Sequence, residues 1–180
     1  MLYILSRSPE FLIATGRSIN KERMKDQYVV LRAIAFLMLH RGEFKDIPAL
    51  QYRGDIDDFL ARFMVYVNDN APEKLIVDYE NLFIRCMQIS YDLLGENGFR
   101  FSGNGIRRPI NMPLFEALSY LFSLVPEKID YTWASRLILD IESVKEEFDD
   151  SRYFSGNIDS TTSVSFRFDR MDKIINRIQL

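Results

Sequence analysis

The chain has little of what nucleophilic and metal chemistry depend on. Among its 180 residues there is one cysteine, Cys86, and one histidine, His40. A lone cysteine cannot close an internal disulfide, and the setting LFIRCMQIS reads as a buried, inert thiol. His40 falls at the end of an apolar helical stretch, where an imidazole complements the helix dipole better than it serves a nucleophile. There is no HExxH, no CxxC and no cluster of Cys and His with metal-ligand spacing, so neither a metal nor another cofactor is expected. A GxxxxGK[ST] phosphate loop is also missing. Eight glycines and six prolines are too few for a turn-rich β fold. The longest apolar run, Ala33–Leu39, is too short for a bilayer. The start MLYILSRSPE lacks the charge, apolar run and cleavage site of a signal peptide. A cytoplasmic protein without a membrane partner is the expectation.

What is present points to helices. Hydrophobic residues make up 47% and charged residues 27%, with fourteen Phe and nine Tyr for the core. The pattern predicts one all-α domain over residues 1–180, with about seven helices around an apolar central one. Ser8-Pro9 starts a short helix that Gly16 closes. Asp26 is expected to cap QYVVLRAIAFLMLH, a helix apolar nearly all round and therefore central. Ile56, Phe59, Leu60, Phe63, Met64 and Val67 keep helical spacing, as do Leu75 to Leu94 after Pro72. Asn111 and Pro113 open a further helix that Pro126 ends. Thr132 begins the next, whose Lys145, Glu146 and Glu147 read as a solvated tail. The hydroxyl run Ser160–Ser165 suits the start of the last, although Val164, Phe166 and Phe168 alternate as a short strand would.

Charge is uneven beneath the net −3. Residues 1–41 carry +4 and residues 99–110 carry +3, while 42–98 and 127–159 are at −6 and −5. Paired acids at Asp57/Asp58, Glu146/Glu147 and Asp149/Asp150 sit on outward faces or in loops and read as solvated charge. Arg32 interrupts the central helix, and a buried guanidinium needs a partner. Glu116, alone in PLFEALSYLF, is expected to form a structural ion pair with it. The loop GENGFRFSGNGIRRPI offers Arg100, Arg107 and Arg108 beside two phenylalanines, a combination suited to phosphate and base contact. Its FSGN, residues 101–104, recurs at 154–157. The continuations differ in charge, so both copies read as aromatic-anchored turns and not as a repeated anion cradle.

Four stretches in order, INKERMKDQYVVLRAIAF, YRGDIDDFLARFMVYVN, LGENGFRFSGNGIRRPINMPLFEAL and SVSFRFDRMDKIINRI, resemble the helical region of the GmrSD-type family of bacterial restriction and phage-defence proteins. The resemblance covers the chain from about Phe11 onward. In that family a ParB/sulfiredoxin-like domain comes first and bears a DGQQR motif tied to nucleotide-dependent DNA cleavage. Some members add an HNH-type nuclease. Neither DGQQR nor an HNH-type histidine cluster occurs here. The resemblance therefore implies a non-enzymatic helical module that packs against a ParB-like nuclease domain, in the same or a separate chain, and contacts DNA. The shared residues Arg23, Asp26, Arg32, Arg100, Arg107, Arg108 and Glu116 would hold the domain together or face that partner. Arg100, Arg107, Arg108, Arg23 and Lys25 are the candidate DNA contacts. The alternative is a free-standing helical interaction or inhibitor protein. An enzyme working through carboxylates and arginines is the third reading.

Overall fold

Local capping signals start most of the helices, as a computed structural model of the chain shows. It describes residues 1–101, 107–150, 153–154 and 156–179. A single turn, α1 (Leu2–Leu5), precedes α2 (Pro9–Ala14), where Ser8 Oγ accepts the Phe11 N–H at 3.3 Å. Then come α3 (Lys25–His40), α4 (Ile56–Asp69) and α5 (Glu73–Leu94), with Asp55 capping α4 through the Asp58 N–H. Asn111 and Asp130 cap α6 (Met112–Ser123) and α7 (Tyr131–Asp149) in the same way. Ser160 Oγ accepts the Ser163 N–H and starts α8 (Thr161–Gln179). Eight α-helices and no strand occur among the described residues, so the alternating Val164, Phe166 and Phe168 lie on a helix.

Two helices form the centre. α3 is buried almost continuously from Val29 to Met38, and α6 from Pro113 to Ser123, and they pack against each other. α5 lies on α6 and carries α2; α8 also packs on α6 and carries α7; α4 rests on α3. Phenylalanines fill the seams: Phe11 meets Phe83 and Phe115, and Phe36 meets Phe59 and Phe168. Of the two FSGN segments, 102–104 and Ser155 lie outside the described residues. Their aromatic heads, Phe101 and Phe154, are both buried and meet edge to face at 5.8 Å.

Three local expectations change. Asp26 does not cap α3: the cap position is Met24, in the left-handed region, and Asp26 lies buried in the first turn. Lys145 is not part of a solvated tail, because its ammonium turns inward to the Asn97 carbonyl (3.2 Å) and Glu142 (3.0 Å). His40 does end α3, but not as a charged complement to the dipole. Its ring stacks on Phe168 at 3.6 Å, and burial followed by the charge of Arg167 pushes its pKa down to about 3. Among the described residues no helix is long and apolar enough to cross a membrane.

Candidate nucleic-acid interface

The connector between α2 and α3, RSINKERMK (residues 17–25), is held by its two ends. At the end of α2 the Gly16 N–H bonds the Ile13 carbonyl and the Arg17 N–H bonds the Leu12 carbonyl at 2.8 Å, closing a Schellman motif. Gly16 supplies the positive φ that this closure needs. At the entry to α3, Arg23 and Met24 are both left-handed, with φ of 53° and 56°. Each non-glycine residue there carries roughly 1–2 kcal/mol of strain, so contacts elsewhere must hold the connector in place.

The loop arginines provide that hold. Arg100, expected to meet an anion, is 4% exposed. Its guanidinium donates to the Thr15 carbonyl at 3.1 Å, to Ser18 Oγ and to the Arg108 carbonyl. Burial, then neighbouring Arg107, lowers its pKa. Arg100 therefore fixes the connector and does not face solvent. Arg107 pairs with Glu96 at 2.8 Å directly above Gly16, where any side chain would collide with its guanidinium. Arg108 pairs with Asp149 and lies over the Phe101 ring. Of the five candidate DNA contacts, one is buried and two are neutralised within the chain.

Arg23 and Lys25 are placed differently. They project from the exposed connector with Arg17 and Lys21, and no carboxylate among the described residues pairs with any of the four. The single acid of the segment, Glu22, is turned to the Asn20 side chain. Arg23 and Lys25 line an open hollow of about 430 Å³ with Asn20, Glu22 and the half-exposed ring of Tyr28. A narrower cleft of about 200 Å³ is lined by Arg17 and Lys21 together with Leu12, Thr15, Ile19 and Asp26. Arg17 and Lys21 were not singled out from the sequence, although four cations against one acid in nine residues is the signal that marks them.

Arg32 and Glu116 meet in the core. Arg32 Nε donates to Glu116 Oε1 at 2.5 Å, and its Nη2 reaches Asp159 Oδ1 at 2.7 Å. Arg167 joins them, donating to Glu116 Oε2 at 3.3 Å and to the Ile158 carbonyl at 2.5 Å. Two guanidiniums and two carboxylates thus tie α3, α6, α8 and the loop before α8. Burial alone disfavours the Arg32 charge, but Glu116 and Asp159 outweigh it and hold its pKa above the ordinary value. Burial raises Glu116 above the usual carboxylate range while both arginines pull it back. Burial pushes the Cys86 thiol up to about 12. On the outside of α4, Ile47, Leu50, Ala61 and Val65 line an apolar hollow of about 560 Å³.

Comparison with protein-family models, with curated proteins and with solved structures found no match for this chain.

Proposed function

We propose that the chain is a non-enzymatic helical module that contacts DNA through its basic connector and packs against a ParB-like nuclease domain, as its likeness to GmrSD-type restriction and phage-defence proteins implies. One observation carries the DNA contact: Arg17, Lys21, Arg23 and Lys25 lie exposed in one short connector and pair with no acid among the described residues, although the chain as a whole has a net charge of −3. Phosphates supply the missing counter-charge, and Tyr28 offers a face for stacking beside them. The non-enzymatic part rests on His40 and Cys86, a base held neutral against the Phe168 ring and a buried thiol held protonated. The apolar hollow on α4 gives a protein partner a place to pack.

Salt-titrated binding of a single-stranded oligonucleotide tests the reading, with Arg23→Ala/Lys25→Ala and Arg107→Ala/Arg108→Ala compared. The connector pair weakens binding and the loop pair leaves it close to wild type. No binding at low salt overturns the DNA contact.

A further inference from the structure

The apolar hollow on α4 opens to solvent. Ile47, Ala49 and Leu50 line it from the segment before α4, and Ala61, Val65 and Tyr66 line it from the helix itself, with Val65 58% exposed. The one charged residue of the lining, Arg62, is already answered: its guanidinium donates to Asp58 at 2.7 Å and to the Ala49 and Gln51 carbonyls. Asp57 lies one turn before Ala61 and Asp69 one turn after Val65, both exposed and paired with no cation among the described residues. The hollow is thus apolar within and negative along the helix that borders it. The connector has the opposite character. Met24 is 67% exposed, in a stretch where it and Arg23 are both left-handed. Exposed and unpaired cations flank it in Lys21, Arg23 and Lys25.

We infer that Met24 of one copy seats in the α4 hollow of a second copy, with its flanking cations against Asp57 and Asp69. Methionine is flexible enough to fill an irregular apolar hollow, and the methylene stems of Arg23 and Lys25 extend the apolar contact while their heads stay in water. Charge selects this pairing over the symmetric ones. Connector against connector sets cations against cations, and hollow against hollow sets Asp57 and Asp69 against their own kind. The contact joins two different surfaces, so each copy keeps one knob and one hollow free and the assembly grows head to tail. An interface this small falls at the weak end of the range. A strand on the connector, or a partner domain on the hollow, displaces the neighbouring copy; the inference itself depends on neither.

Sedimentation of the full chain at low salt, from micromolar to near-millimolar concentration, tests it. The wild-type coefficient rises with concentration past that of a dimer and falls back when salt is added. Met24→Asp and Val65→Asp each weaken association about tenfold or more, because each places a charge in the apolar contact. Mixed in equal amounts, the two variants form a dimer that grows no further, since one brings an intact hollow and the other an intact connector. A wild type that stays monomeric overturns the inference. So does association that survives either substitution, or that mixing does not restore. Should either variant fail to fold, Met24→Ser and Ala61→Asp take their places in the same mixing test.

Discussion

At Glu116 two guanidiniums share one carboxylate with no access to water. Replacing it by alanine leaves Arg32 and Arg167 buried together without their shared acid, and removing one partner of a buried pair typically costs about 3–5 kcal/mol. Chemical denaturation of Glu116→Ala is therefore expected to show a loss of that order. Replacing Arg32 and Glu116 together by methionine and leucine should cost less than the sum of the single changes, because neither leaves the other's charge stranded, although Arg167 still loses its carboxylate. The sequence allowed this pair to be anticipated because each residue is a lone charge in an apolar helix. It gave no hint of Arg167 and Asp159, which reach the same point only once α8 lies on α6. His40 makes a separate prediction. Its native pKa is about 3, well below the ordinary 6.5, so the unfolded chain takes up the proton first. That contribution to stability is fully present above about pH 6.5 and falls as pH drops toward 3, with a slope of at most about 1.4 kcal/mol per pH unit. Unfolding measured across that window should show a shallower slope for His40→Phe, by close to one proton. An unchanged slope would mean that the imidazole is not held neutral.

The connector shows how an element can be poorly legible although each of its neighbours is clear. Helix starts at Ser8, Asp55 and Asn111 follow from a side chain meeting an N–H three residues on. Such signals are local and survive without the rest of the fold. Asp26 carries the same kind of residue at the same kind of place, yet α3 begins one residue before it and the carboxyl turns inward. What decides the difference is distant in sequence: Arg100 holds Thr15 and Ser18, and Arg107 covers Gly16. The arginines of the 99–108 loop were legible as important but not in their role, since a guanidinium reaching a phosphate and one reaching a carbonyl look alike in sequence. The strain at Arg23 separates stability from binding. Glycine adopts the left-handed conformation without steric cost, although it gives the unfolded chain more freedom. Arg23→Gly is therefore expected to leave thermal stability unchanged or raise it by up to about 1 kcal/mol, while weakening DNA binding. Parallel thermal melts and binding titrations check this, and a variant that loses both together would tie Arg23 to the fold instead.

For the molecule as a whole, the net charge of −3 sets the terms of any contact with a polyanion. Acidic segments dominate residues 42–98 and 127–159, and the positive charge of the 99–110 loop is largely drawn into Arg100's burial and the pairs with Glu96 and Asp149. On the proposed reading, the connector is the face on which phosphates replace small counterions. Four cations engaging a single strand give a slope of log K against log salt of about −2.8, at roughly 0.7 per phosphate contact. Between 50 and 200 mM salt the affinity should then fall about 50-fold. Removing Arg23 and Lys25 halves the number of contacts, so the slope drops to about −1.4 and the same change in salt costs only about sevenfold. Removing Arg107 and Arg108 should leave the slope near −2.8, because their charges already answer Glu96 and Asp149. A slope that halves on losing the loop pair and not the connector pair would move the interface to the loop.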